Sequence, residues 1–147
     1  MHTRSRSTLA LGLALLAMPL ASLACCPSDG NNPQKLASVG LGESFPVAAD
    51  VAADSTWKVY EFQRDGIRYV QANDSAGAVR AAVGRIGDTF WVLPIGADAD
   101  RVSVPGNAVT IPAYTSVKRV FGTDAIDVWV YQTTSGDWWA VTPAAAR

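Results

Sequence analysis

The stretch Thr56-Trp57-Lys58-Val59-Tyr60-Glu61-Phe62-Gln63-Arg64-Asp65-Gly66-Ile67-Arg68-Tyr69-Val70-Gln71-Ala72-Asn73 decides the fold. Aromatic and β-branched residues crowd both arms, and Asp65-Gly66 between them is the dipeptide a two-residue hairpin turn favours. The arms therefore read as antiparallel strands, Thr56 to Gln63 and Ile67 to Asn73. Asp74-Ser75-Ala76-Gly77 offers a second turn before Val79 to Ile86, and Gly87-Asp88 a third before Thr89 to Ile95. A helix from Ser75 to Ile86 is the rival, because Val79, Val83 and Ile86 have helical spacing. Gly77, Gly84 and the short, turn-bounded length favour the strand.

Pairing through these turns assigns the side chains to faces. Asp65-Gly66 sets Phe62 opposite Tyr69, a turn centred on Ser75-Ala76 sets Ala72 opposite Val79, and Gly87-Asp88 sets Val83 opposite Val92. One face then collects Trp57, Val59, Val70, Ala72, Val79, Ala81, Val83 and Val92. The other collects Tyr60, Phe62, Ile67, Tyr69, Ala82, Trp91 and Leu93, with Trp91 filling the space over Gly84. Neither face is polar enough to stand in water, so the sheet needs cover on both sides.

Working outward toward the C-terminus, Arg101 to Val104, Ala108 to Pro112, Val117 to Phe121, Ile126 to Gln132 and Asp137 to Thr142 continue the strand pattern. Pro105, Pro112 and Pro143 sit where strands end or form edges. The loop Thr133-Thr134-Ser135-Gly136 has an even number of residues, which sets Tyr131 opposite Trp138 and Val130 opposite Trp139. The expected fold is all-β, an antiparallel meander closing into a small β-sandwich or barrel.

The last hairpin carries the one surface that suggests a site. Neighbouring residues in a strand point to opposite faces, so Trp138 and Trp139 cannot both enter one core. Trp129, Tyr131 and Trp138 share a face and are the candidate binding residues, able to stack on sugar rings or anchor a protein. Packing into the core is the competing reading, since a buried aromatic ring removes large apolar area from water. Ser135-Gly136-Asp137-Trp138-Trp139-Ala140-Val141 resembles the glycine-tryptophan hairpin of bacterial SH3-like domains, many of them cell-wall or peptide binders. The resemblance covers these seven residues, and the four-strand meander before them has no counterpart in a domain that small.

Other chemistry is sparse. Asp98 and Asp100 could ligate Ca²⁺ but lack the spacing and terminal Glu of a calcium loop, so a solvated turn is the expectation. Asp124 and Asp127 suit turn capping better than a glycosidase pair. Glu61 suits a diagonal pairing with Arg68. No glycine-rich phosphate loop and no cofactor motif is present. The only histidine is His2, which excludes His-based nucleophilic catalysis and His-ligated zinc if the N-terminal segment is removed.

That segment, residues 1–24, reads as an export signal: Arg4 and Arg6, then an apolar run from Leu9 to Leu23 shorter than a membrane span. Cleavage after Ala24 by a general signal peptidase would use Ser22 and Ala24 as its small residues. Alternatively, residues 1–25 resemble a bacterial lipoprotein signal, which implies Cys25 as the lipidated residue and attachment to the outer membrane. Residues 25–40 then form a flexible tether, and residues 41–147 one β domain, with no cysteine left to staple it. Losing Arg4 and Arg6 leaves 10 Lys and Arg against 13 Asp and Glu, a net charge of about −3 without a basic cluster, which excludes the footprint of a nucleic-acid binder.

The expectation is an exported, periplasmic, non-catalytic envelope module that binds a protein partner as an inhibitor, immunity or assembly factor. Recognition of cell-wall glycan by the aromatic surface is the alternative, and a carboxylate-dependent hydrolase a third. The sequence sets no oligomeric state.

Overall fold

The computed structural model describes residues 36–145, and those residues form an all-β sandwich of two four-stranded sheets. The expected export segment and Cys25 lie outside the described residues. The first sheet is the meander, β1 (Trp57–Arg64), β2 (Ile67–Asp74), β3 (Val79–Ile86) and β4 (Thr89–Val92), in the order β1-β2-β3-β4. Asp65 and Gly66 both take positive φ, 53° and 80°, and the turn sets Phe62 opposite Tyr69 as expected. Val83 likewise faces Val92, and the indole of Trp91 lies across Gly84, where a Cβ would stand 2.4 Å from Trp91 Cε2.

The β2–β3 pairing differs from the expected one. Ala72 faces Ala81, two residues from the expected Val79, and Asn73 faces Val79 across a bulge. The Asp74 carboxylate takes the amides of Ala76 and Ala78 and widens the turn. A slip of two residues preserves the side-chain period, so Ala81 and Val83 keep the expected core face, whereas Val79, expected there too, pairs with Asn73 across the bulge and lies outside the core.

The second sheet has the order β5-β8-β7-β6, built from β5 (Val102–Ser103), β6 (Tyr114–Gly122), β7 (Ile126–Thr133) and β8 (Gly136–Pro143). The β7–β8 hairpin has the expected register, Tyr131 opposite Trp138 and Val130 opposite Trp139. β5, however, runs parallel to β8, so the meander is not wholly antiparallel. The segment Ala108 to Pro112 is not a strand, because it serves as the connection from β5 at one sheet edge to β6 at the other.

Between the sheets lies one core. Trp57, Val59, Val70, Ala72, Ala81 and Val83 come from the first sheet, and Val102, Val120, Phe121, Ile126, Val128, Val130, Trp139 and Val141 from the second. Trp57 and Trp139 meet edge to face at 4.8 Å, the favoured aromatic geometry. A cavity of about 10 Å³, walled by apolar side chains including Val70, Val102 and Trp139, is the space for roughly one water.

Two seams close the sandwich along its sides. On one, Val51 N donates to Val59 O on β1 and Ala53 N to Val120 O on β6, so residues 51–53 bridge the sheets. On the other, Ala97 N and Asp98 N donate to Val79 O and Arg80 O, and a 3-10 turn (Ala99–Arg101) then delivers the chain to β5. Gly96 makes that approach feasible, since a Cβ there would stand 2.4 Å from Arg80 O.

The outer faces are covered as well. Ala37 bridges Phe62 and Asp50 bridges Tyr60, and the chain between them passes over the first sheet, where Tyr60, Phe62 and Ala82 are buried. The chain is therefore held to the sheet at Ala37, before Leu41, where the domain was expected to begin. Over the second sheet, Val109 N donates to Ser103 Oγ at 3.3 Å. Ser103 lies on the outer side because Val102 and Val104 on either side of it are in the core, so the β5–β6 connection crosses outside.

Candidate binding surfaces

The register of β7 and β8 brings Trp129, Tyr131 and Trp138 together on the outer face of the second sheet. All three are half-buried. Tyr114 meets Tyr131 edge to face at 4.9 Å and 76°, so these rings do not form a single plane. The Trp138 indole N–H is buried with no acceptor among the described residues, whereas the Trp139 N–H, on the inner face, finds one. Tyr114 and Val117, 52% and 41% exposed, extend the surface along β6.

The acceptor for Trp139 is Asp98, and here the expected solvated turn is corrected. Asp98 is 2% exposed. Its carboxylate receives Arg80 Nε at 2.9 Å and Nη2 at 3.1 Å, as well as Trp139 Nε1 at 3.1 Å. Asp98 thus ties β3 of one sheet to β8 of the other, with charge-assisted bonds on both oxygens. Arg101 lies 3.6 Å away, and Asp74 and Asp137 each stand 3.7 Å from the Arg80 guanidinium. Burial pushes the Asp137 carboxyl above its usual value, and repulsion from Asp98 adds to this against the pull of Arg80 and Arg101. Every strong donor of Asp98 belongs to the fold, so this cluster is a fastener between sheets. Asp100 is exposed and takes no part.

The remaining carboxylates are also accounted for. Asp127 is buried against Arg119 at 2.9 Å, while Asp124 is exposed in the turn before β7. Glu61 shares the inner face with Arg68 without an ion pair within 4 Å, and burial raises its carboxyl against the pull of Arg68 and Arg85. At the first seam, burial works against the Asp50 charge, but the Val59 amide, Lys58 and the Ala52 amide outweigh it and lower the pKa. Asp54 is held at about 2 by the Thr56 hydroxyl and amide and by Lys118. Among the described residues no three His, Cys, Asp or Glu converge to hold a metal ion, and no helix is long and apolar enough to cross a membrane.

The sequence reading missed the most exposed apolar group. Phe45 is 74% exposed and Val47 91%, with Val39 at 71% nearby in the chain. They flank or belong to a loop closed on itself: Glu43 N donates to Gly40 O, and a Cβ on Gly40 would stand 2.9 Å from Pro46 Cβ. Two wholly buried amides pin this loop. Gln71 Oε1 accepts from Gly42 N at 2.6 Å, Gln71 Nε2 donates to Glu43 O at 2.9 Å, and Asn73 Nδ2 donates to Ser44 O at 2.9 Å. Gln71 also donates to Asn73 Oδ1 at 2.8 Å, which locks the pair. Phe45 rests on Gly77, whose Cβ would stand 2.4 Å from its ring. The signal was present in the sequence: two amides, two residues apart, on a strand face otherwise filled by aromatic and aliphatic groups.

Compared with family models, curated proteins and solved structures, the chain finds no significant match.

Proposed function

We propose that this chain is an exported, non-catalytic binding module of the bacterial envelope that recognises a protein partner through the Gly40–Pro46 loop and the flanking Val39 and Val47. One observation carries the reading: Phe45 and Val47 face solvent on a loop whose backbone is fixed by the buried Gln71–Asn73 pair. Exposing large apolar groups costs solubility, and burying two amides demands that every bond be made. A loop held ready in this way loses little conformational entropy when a partner covers it, which is how rigid recognition loops gain affinity. Export by the N-terminal signal and lipid attachment at Cys25 belong to the same proposal and would place the loop at the periplasmic face of a membrane.

The test is photo-crosslinking in the envelope from a reactive side chain at position 47, where exposure makes replacement harmless to the fold. A discrete adduct from position 47, absent from exposed Thr89 on β4 and abolished by Phe45→Asp, is the expected outcome. Identical adduct patterns from the two positions would refute the proposal.

A second reading, glycan recognition by Trp129, Tyr131 and Trp138, is favoured by their common face and its extension through Tyr114. It is tested by peptidoglycan pull-down with Trp138→Ala. Retention of the variant at the level of the parent chain eliminates that reading.

A further inference from the structure

Arg68 and Arg85 face each other directly across β2 and β3, and Gln63, Arg68, Arg85 and Phe90 form one row across the inner side of the first sheet. This row lies at the hairpin end of the sandwich, one step beyond the core layer of Val70, Val83 and Val92, where Gln63 and Arg68 are exposed and Arg85 and Phe90 half-buried. Of the eight Lys and Arg among the described residues, six have a carboxylate within 4 Å: Lys58, Arg64, Arg80, Arg101, Lys118 and Arg119. The two without one are Arg68 and Arg85. Like charges directly opposite on a sheet repel. Among the described residues, the two cations without an ion pair thus stand opposite each other on neighbouring strands.

We infer that Arg68 and Arg85 form a binding site for a singly charged oxyanion with two equivalent oxygens, a carboxylate or a phosphodiester group. The guanidinium fork donates in pairs to such a group, and two opposed forks can divide its oxygens between them. The charge of the ligand follows from Glu61, which lies on the same face one row deeper, diagonal to Arg68. Its carboxylate offsets one of the two guanidinium charges through space, so one positive charge remains to be neutralised. Glu61 is then an internal competitor of the ligand, which holds the site weak.

The test is a titration of the full-length chain followed by the arginine Nε–H resonances, with sodium acetate in one arm, sodium dimethyl phosphate in a second, and sodium chloride at equal ionic strength in a third. Saturable shifts confined to Arg68 and Arg85 are expected in at least one of the first two arms, with a dissociation constant on the order of 10 mM for so small a probe. The tighter probe identifies the source, acetate a peptide or other carboxylate and dimethyl phosphate a phosphodiester. Arg68→Gln and Arg85→Gln each abolish saturation, and Glu61→Gln tightens binding by about five-fold, the size of one partly screened charge pair. Equal drift in all three arms overturns the site, as does weaker or unchanged binding in Glu61→Gln. These outcomes are independent of crosslinking at Val47, on the other face of the sheet.

Discussion

Replacing Asp98 by Ala removes the fastener between the sheets, and the cost can be worked from its contacts. The substitution deletes two charge-assisted bonds to Arg80 and one bond from the Trp139 indole, and strands that indole N–H in the core. Breaking a buried ion pair by removing one partner costs about 3–5 kcal/mol. The Arg80 side chain is 24% exposed and has Asp74 and Asp137 at 3.7 Å to turn to, which lowers the figure to about 3 kcal/mol. With a urea dependence of about 1.5 kcal/mol/M for a domain of this size, the unfolding midpoint falls by about 2 M. Intrinsic fluorescence reports it, since Trp57 and Trp139 are buried in the native core. Arg80→Met and the double variant complete a cycle, whose coupling is expected at about 1–2 kcal/mol. A midpoint shift below about 0.5 M, or additivity of the two substitutions, would refute the fastener role.

The adjacent tryptophans make a paired test: Trp139→Phe loses a buried bond and costs about 2–3 kcal/mol, whereas Trp138→Phe deletes an unsatisfied N–H and stays within about 1 kcal/mol of the parent in urea unfolding. Gly96→Ala forces a Cβ against Arg80 O at positive φ and is expected to destabilise by about 2 kcal/mol more than Gly66→Ala, where φ is also positive but the space is open, as thermal unfolding of the two variants would show. Asp54 titrates at about 2 in the folded chain against 3.8 unfolded, so its stabilisation is present above 3.8 and lost as pH falls through 2; Asp54→Asn flattens the acid limb of the stability profile over that window. Asp137 has the opposite sign. Its folded pKa is raised, so its contribution is lost as pH rises through that value, and Asp137→Asn is expected to stabilise the fold near neutrality while leaving strongly acid samples unchanged in urea titrations.

The parts of the fold legible in the sequence are those governed by local turn chemistry. Asp65-Gly66, Gly87-Asp88 and the even loop before Gly136 each determine a register through a few adjacent residues, and all three registers are found. Two apolar faces on one sheet also required two covering layers, and both exist. The β2–β3 register slipped because the Asp74 carboxylate recruits backbone amides as far as Ala78, which widens the turn beyond Asp74-Ser75-Ala76-Gly77. The parallel placement of β5 has no local code, because only β8, more than thirty residues later, defines its partner. Asp98 illustrates the same limit: its neighbours Ala97 and Ala99 say nothing of an arginine 18 residues before it and a tryptophan 41 after it. Of the candidate sites, the aromatic trio was legible as a shared face, since alternation alone decides it. Of the Phe45 loop only the anchor was legible, the two amides on an otherwise apolar strand face, because the segment they hold lies 28 to 30 residues away.

The covering of the first sheet by residues 37–50 has a consequence for biogenesis. This segment precedes the meander in the chain, yet its anchors on Gln71 and Asn73 are made by residues that follow it. Hairpin closures of short span form early, while contacts that bridge long loops wait for them. The meander therefore folds with Tyr60 and Phe62 still uncovered, and the leading segment docks afterwards. A chain stalled at that stage displays a sticky aromatic surface, so a holding factor that shields it would protect the newborn protein until its own front end returns to replace the guard.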